Sequence, residues 1–192
     1  MSAGDRQLVR EAVAAYFGGA KSTADGGNYY QGGPLSAAGL GTAYPYLIKG
    51  GAPDEYYTQG VAAGTGWGAV LSVRVGTQRI IRSSYGGPTS GWRERHYTVT
   101  CALDVISYEP HLETAEAGLD DLTDALLGLI YADRTLGTTS NAYPTGRLIT
   151  QAGEGREGIT IGEPLDWTVE ADRGRGRGGL EIIFDVMTMI AA

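Results

Sequence analysis

Three arginines that alternate with glycine are the residues best suited to bind a charged partner. Arg173, Arg175 and Arg177 lie in the run DRGRGRGG, residues 172 to 179. Guanidinium groups pair well with phosphates and carboxylates, and glycines let a loop bend towards a partner. Each neutralised phosphate adds only a salt-sensitive increment, so three arginines are too few to hold nucleic acid tightly by themselves. We predict a contact with a partner, which serine at all three positions weakens while the fold stays intact.

Two other interpretations of this arginine run stay open. The run is also typical of a mobile, solvated hairpin tip. It would equally suit a free-standing nucleic-acid-binding module that works through an Arg-Gly loop. Salt-sensitive binding of nucleic acid by the monomer would distinguish such a module from a protein that only contacts other proteins.

No other pattern in the chain predicts catalysis, a cofactor or a metal. Residues 153 to 158 match GxGxxG as text, but they lead into the β-type run Ile159 to Ile161, whereas a dinucleotide site needs a helix start there. His96 and His111 are the only histidines, and no CxxC or HExxH motif accompanies them. No serine lies in a GxSxG elbow, and Cys101 falls in an apolar strand. We therefore predict a non-enzymatic protein with no catalytic, cofactor-binding or metal-binding residues.

Composition narrows the class of protein further. The chain has 192 residues, a net charge of −7 and one cysteine. An acidic chain does not grip nucleic acid over its whole surface, and a lone cysteine forms no internal disulfide, as is typical of a protein made inside the cell. The first residues carry charges where a signal peptide would be apolar, and no stretch approaches the ~20 apolar residues of a membrane span. We expect no membrane partner.

The elements that position the arginine run begin with an amphipathic helix, predicted from Glu109 to Gly137. Its apolar residues recur at steps of three and four, while its carboxylates fall on the rest of the helical wheel. The apolar stripe consists of Leu112, Ala115, Leu119, Leu122, Leu126 and Leu129. Asp120, Asp121 and Asp124 are interpreted as a solvated acidic face, with a general acid-base pair left open. A second amphipathic helix is predicted from Asp5 to Phe17.

Alternating apolar and polar residues predict strands on both sides of the long helix. The predicted strands are Trp67 to Val75, Arg79 to Ser83, Arg93 to Ser107, Ile159 to Ile161, Leu165 to Ala171 and Leu180 to Ile190. The last two form a β-hairpin around the arginine run. The runs Arg95 to Tyr108 and Leu180 to Ile190 are expected to cover the apolar stripe of the helix, because a single helix cannot bury that stripe alone.

Between Gly18 and Gly68 the sequence loses any regular period and becomes rich in glycine, alanine and tyrosine. Six of the twelve tyrosines lie in this stretch: Tyr29, Tyr30, Tyr44, Tyr46, Tyr56 and Tyr57. A disordered tail would be poor in aromatic residues, so the stretch is interpreted as an ordered but irregular arm. The alternative is a flexible insertion whose tyrosines only lie on the parent domain.

Together these elements predict one α+β domain over residues 1–192. It is expected to contain a mainly antiparallel β-sheet of about four to five strands packed by two helices. The long Gly/Tyr-rich irregular arm is expected at about residues 18–68. No internal repeat or heptad array appears.

The order of these elements resembles that of the tail terminator and minor tail proteins of long-tailed bacteriophages. The likeness is carried by RERHYTVTCALDVISYE followed directly by the helix from His111, and by the ending LEIIFDVMTMIAA. It covers roughly Trp67 to Ala192. The resemblance implies a small α/β virion protein that assembles into a ring, typically six-fold. Such a ring caps the tail tube and meets the head-tail connector.

The resemblance also implies where the chain works and what it touches. Its partners would be copies of itself, the tail tube protein and a connector or neck protein, and DNA would only pass through the lumen. It would be made in the host cytoplasm and reside at the head-proximal end of the virion tail. In this setting the six tyrosines are predicted at the subunit interface, and Arg173, Arg175 and Arg177 at a partner or the lumen. The arm exceeds what a compact family member needs, so a neck or head-to-tail joining protein of the same virion is the alternative.

Overall fold

The computed structural model describes residues 5–23, 28–47, 52–85, 92–138, 148–154 and 158–191, with the backbone alone at residues 77–85, 92–93, 165 and 190–191. Its helices are α1 (Asp5–Gly18), α2 (Gln59–Ala62) and α3 (Glu113–Ala132). Its strands are β1 (Gly19–Ser22), β2 (Tyr29–Gly32), β3 (Leu40–Tyr44), β4 (Trp67–Tyr85), β5 (Trp92–Ser107), β6 (Ile149–Ala152), β7 (Ile159–Ile161), β8 (Leu165–Glu170) and β9 (Arg175–Ala191). Short 3-10 turns lie at Ser36–Ala38 and Asp54–Tyr56.

All of these strands belong to one sheet, in the order β1-β2-β3-β4-β5-β9-β6, and β7 and β8 also pair with β9. Neighbours are antiparallel except for β3 and β4, which are parallel. The predicted α+β class and mainly antiparallel sheet are confirmed. The predicted count of four to five strands is wrong, because the described residues form a 9-stranded sheet.

Most of the additional strands come from the stretch predicted as an irregular arm. The three strands β1, β2 and β3 and the helix α2 lie within it, so this part of the prediction is wrong. The strands are only 4 or 5 residues long, which is too short for a period of two to stand out in a sequence window. Gly19 and Gly39, with φ of 93° and 99°, lie at their boundaries and make the sharp turns that join them.

Two strands run further than predicted. The strands predicted at Trp67 to Val75 and at Arg79 to Ser83 are one strand, because β4 continues to Tyr85 and contains register shifts after Val75 and after Ile80. The last strand begins at Arg175 rather than at Leu180, so it includes most of the arginine run. The strand β6, Ile149–Ala152, is not among the strands predicted from the sequence.

The core lies between the sheet and the two helices α1 and α3, which cover the same face. Every second residue of β5 from Tyr97 to Val105 is buried there, as its alternation predicts. The long helix contributes its apolar stripe, and its acidic residues Asp120, Asp121 and Asp124 are exposed, as expected. Core residues of α1, α3 and β9 include Val9, Val13, Phe17, Leu119, Leu122, Leu126, Ile130, Leu180, Ile182, Phe184 and Val186.

A second, smaller apolar cluster lies on the opposite face of the sheet. Its members come from the stretch that was predicted as an arm and from the ends of β4 and β5. They are Tyr29, Tyr44, Tyr57, Val61, Val70 and Ile106. This cluster covers only the end of the sheet where β3 lies. Beyond it, the face carries half-buried polar side chains such as Thr98 and Asp185, whose oxygens hydrogen-bond at 3.2 Å.

Trp67 packs the start of β4 against α3. Its indole lies against Gly118 in the middle of α3 and against Gly39 before β3, and a Cβ at either glycine would overlap the ring. Gly128, on the same helix, has open space where its Cβ would be. The packing of Trp67 therefore requires a glycine at position 118, whereas no described neighbour requires one at position 128.

Alanine at these two helical positions should act in opposite directions. We expect Gly118→Ala to destabilise the protein by about 1–2 kcal/mol, because the added methyl displaces the packed indole of Trp67. We expect Gly128→Ala to stabilise it by about 0.5–1 kcal/mol through helix propensity alone. Urea unfolding of both variants checks this. Equal effects of the same sign would contradict the packing of Trp67 on α3.

Candidate functional site

The arginine run is fastened to the protein by carboxylates from distant parts of the chain. Arg175 donates from Nε to Glu170 Oε2 at 2.6 Å and from Nη1 to Asp54 Oδ1 at 2.5 Å. Only 5% of its side chain is exposed. Tyr108 donates from its hydroxyl to the other oxygen of Asp54 at 2.8 Å. Arg175 therefore joins β9 both to β8 and to the turn that precedes α2.

Arg177 makes a separate, two-pronged ion pair. Its Nε and Nη2 donate to Asp104 Oδ1 and Oδ2 at 2.9 Å and 2.8 Å. The buried hydroxyl of Tyr57 donates to the same Oδ2 at 2.6 Å. Two parallel hydrogen bonds fix the planar guanidinium in position, so Arg177 is held against the face of β5.

The electrostatics of these groups match their hydrogen bonds. Burial lowers the pKa of Arg175, but the hydrogen bonds to Glu170 and Asp54 outweigh burial and raise it. The hydrogen bond to Asp104 raises the pKa of Arg177. Burial, reinforced by Asp104, raises the pKa of Tyr57, so its hydroxyl stays protonated and remains a donor. Each arginine is a permanent cation that is already neutralised.

These side chains line an open cavity of about 550 Å³ between β9 and the segment before α2. Three arginines face into it, but so do the carboxylates of Asp54, Glu170 and Asp172. Positive and negative groups are therefore balanced at its wall, and the cavity does not have the uncompensated charge of an anion site.

Arg173 differs from the other two arginines. It lies in the turn of residues 171–174 and is exposed, and no hydrogen bond or ion pair joins its side chain to another described residue. The basic loop predicted over residues 172 to 179 is therefore wrong, since most of the run is strand. Loss of Arg175 would remove the counter-charge of Asp54 and Glu170, so we now expect serine at all three positions to destabilise the fold as well. A partner contact by Arg173 stays a prediction.

The six tyrosines predicted at a subunit interface are mostly inside the protomer. Four are buried: Tyr29, Tyr30, Tyr44 and Tyr57. Ring centroids of Tyr29 and Tyr56 lie 5.0 Å apart, and those of Tyr44 and Tyr46 lie 6.4 Å apart. Tyr46 is 39% exposed, and its neighbour Leu47 is 62% exposed. An interface role for the tyrosines stays a prediction, and among the described residues of the predicted arm Tyr46 and Leu47 present the most apolar surface to a neighbour.

The partners of the arginines were missed at the sequence level. Asp54 and Asp104 lie far from the arginine run in the chain, and nothing local marks them as its ligands. A weak signal existed at Asp104, which is a carboxylate inside an otherwise apolar strand. Such a residue usually has a partner when it is half-buried.

Other candidate groups do not converge on a reactive centre among the described residues. No set of three or more His, Cys, Asp or Glu side chains in that part of the chain could hold a metal ion. Burial raises the pKa of Cys101, which disfavours its thiolate. The GxGxxG text lies between β6 and β7, with residues 155–157 outside the described ranges. No described helix is long and apolar enough to cross a membrane.

Comparison with known proteins adds no family to this picture. No family model matches the chain, and the search of curated proteins gives no match. Function is therefore inferred from the geometry of the chain and from the resemblance in element order.

Serine at Arg175 and at Arg173 should separate the structural arginine from the free one. We expect Arg175→Ser to destabilise the protein by about 2 kcal/mol, because two carboxylates lose their counter-charge and Asp54 is only partly exposed to water. Arg173→Ser should change the free energy of unfolding by less than about 0.5 kcal/mol. Chemical denaturation of both variants measures the difference. Equal stabilities would contradict a stabilising role for the ion pairs of Arg175 with Asp54 and Glu170.

Asp54 should make stability depend on acid. Burial raises its pKa, but hydrogen bonds from Tyr108 and Arg175 outweigh burial and hold the pKa below the ordinary value of 3.8. A carboxyl with a lowered pKa stabilises the fold above its unfolded pKa, and this stability is lost as the pH falls through the folded pKa. Asp54→Asn should therefore cost about 1 kcal/mol at pH 7, and the gap to wild type should close on acidification.

Urea titrations between neutral and acidic pH test this dependence. Asp172→Asn is the matched control, because Asp172 is an exposed carboxylate in the neighbouring turn. Its stability should track that of the wild type at every pH. A gap between Asp54→Asn and wild type that stays constant on acidification would show that the carboxylate charge is not what stabilises the fold.

Proposed function

We propose that this chain is a non-enzymatic structural protein that assembles with copies of itself into a ring. The ring would act as the terminator of a long-tailed phage tail, capping the tail tube and joining it to the head connector. The observation that carries this proposal is the outer edge of β4 from Val73 to Tyr85, with which no other described strand pairs. The resemblance in element order supplies the setting.

The free edge arises because β3 is much shorter than β4. The two strands pair only from Leu40 with Ala69 to Tyr44 with Ser72. Beyond Ser72, β5 is the only described strand that pairs with β4. Unpaired N–H and C=O groups on such an edge are a template for another chain. One carbonyl is already used, since the guanidinium of Arg6 donates to Gly76 O.

The two faces of the sheet are also covered unequally. Helices cover one face, whereas the other is covered only near β3 by the smaller apolar cluster. On that open face, Arg74 and Glu181 neutralise each other in an ion pair, and the hydroxyl of Thr98 donates a hydrogen bond to the carboxylate of Asp185. The exposed Tyr46 and Leu47 border the same face. An apolar pair beside a polar face suits a subunit contact at the edge of a ring.

A nucleic-acid-binding module is less well supported. It would need free arginines, but Arg175 and Arg177 already donate to carboxylates of the same chain. Within the Arg-Gly run, only Arg173 has no such partner among the described residues, and one arginine gives too little charge for binding through this run. The neck protein alternative predicts the same kind of ring, and it differs in the virion protein that the ring binds.

Solution mass tests the ring directly. We expect light scattering over a concentration series to show a discrete oligomer, and negative-stain images of the same sample to show rings of uniform size. A protein that is monomeric alone is tested again with purified tail tubes, where rings should appear at tube ends. A protein that stays monomeric in both settings contradicts the proposal.

A matched pair of variants locates the contact. Leu47→Asp should weaken association at least about tenfold, because burying a leucine is worth roughly 1.5–3 kcal/mol and a charge reverses that gain. Tyr131→Asp is the control, since Tyr131 is as exposed but lies on α3, on the other face of the sheet. Equal association of both variants would remove Leu47 from the interface.

A further inference from the structure

We infer that a groove between α3 and β8 receives the far end of the β4-β5 hairpin of a neighbouring copy of this chain. This inference rests on the proposed ring and names the contact that closes it. The groove has a volume of about 640 Å³. It is lined by Glu116, Leu119, Asp120, Pro164, Asp166 and Trp167.

The floor of the groove is apolar because Trp167 lies flat on β9. A Cβ at Gly178 would stand 2.9 Å from the indole, and Gly176 is close to the same ring. The glycines of the arginine run therefore make room for Trp167 on one face of β9 while the arginines point to the other. Leu119 of α3 closes the floor.

More apolar surface continues along this edge of the sheet. Val169 is 71% exposed and pairs with Gly176, and Ile161 is 49% exposed and pairs with Ile182. Directly paired residues share a face in an antiparallel sheet, so both side chains lie on the helix side, as Trp167 does. An exposed apolar strip of this kind marks an interaction surface.

The rim of the groove is acidic, and its carboxylates have no counter-charge among the described residues. No ion pair joins the side chains of Glu116, Asp120 or Asp166 to another described residue. Carboxylates around a half-buried indole favour a guanidinium group, which can pair with the acids and stack on the open part of the ring. The groove therefore suits a segment that is both basic and apolar.

This chain contains such a segment at the far end of its longest hairpin. Residues 77–85 and 92–96 read TQRIIRSSY and WRERH, with four arginines and one glutamate in a chain whose net charge is −7. Arg95 already pairs with Asp5 of the same chain, so the proposed contact relies on Arg79, Arg82 and Arg93. Ile80, Ile81 and Trp92 supply apolar character. The sequence of the segment is thus the charge complement of the groove, and no other stretch of the chain combines as many arginines with aromatic and branched residues.

The two surfaces cannot meet within one protomer. In the β5-β9 ladder, Trp92 pairs with Ala191 at one end and Ser107 pairs with Gly176 at the other. The 16 residues of β5 separate the hairpin end from the groove by roughly 50 Å at the usual rise. A contact between them has to join two copies head to tail, and such a heterologous contact closes into a ring when its rotation allows.

Charge reversal tests the contact with a control on the same helix. Glu116→Lys with Asp120→Lys reverses the groove, and Asp121→Lys with Asp124→Lys makes the same change in charge on exposed residues of α3 that do not line it. We expect the groove variant to associate at least about tenfold more weakly than wild type and the control to associate normally. All four positions are exposed, and thermal unfolding verifies that both variants fold.

A compensating change makes the test specific. Arg79→Glu with Arg82→Glu should also weaken assembly, and a chain that carries both the hairpin and the groove reversals should recover it, because the two surfaces are again complementary. Wild-type rings that persist unchanged in the groove variant overturn this contact and leave the ring proposal standing. A wild-type protein that never assembles, even on tail tubes, overturns both.

Discussion

The packing of α1 and α3 on one face of the β4-β5-β9 ladder is the constraint on which the rest of the structure depends. Buried residues of β5 and β9, such as Cys101 and Phe184, meet the apolar stripe of α3 there. Because both helices lie on the same side, the other side is covered, within the described ranges, mainly by the segment before β4. The geometry that builds the core also leaves an open face and an unpaired edge, and these are the surfaces on which assembly is proposed.

The smaller apolar cluster depends on ion pairs as well as on burial. Asp54 and Tyr57 belong to the segment that covers the second face, and each is joined to β9 through a carboxylate, Asp54 directly and Tyr57 by way of Asp104. Arginine is suited to this role because its fixed fork holds two acceptors at once. The alternation of glycine and arginine therefore has a role on each face of β9. The glycines make room for Trp167 on one face, and the arginines pair with carboxylates on the other.

Long elements could be predicted from the sequence, and short or distant ones could not. The periods in α1, α3 and β5 extend over enough residues to predict both the element and its buried side. Strands such as β1 and β2 have only 4 residues, so pairing with neighbours rather than local pattern defines them. Asp54 lies 121 residues from Arg175, and Asp104 lies 73 residues from Arg177. Only the folded chain brings these carboxylates next to the arginines. For this reason an arginine run that looks solvated in the sequence is largely held in ion pairs.

Hydrogen exchange of the β4 backbone tests the central claim most directly, namely that the outer edge of this strand is completed by another copy. Amides between Val73 and Tyr85 would be followed in dilute monomer and in the assembled protein, with the paired amides of β5 as an internal reference. If another copy completes the edge, alternate β4 amides exchange fast in the monomer and become protected on assembly. Assembly that leaves their exchange unchanged would contradict it.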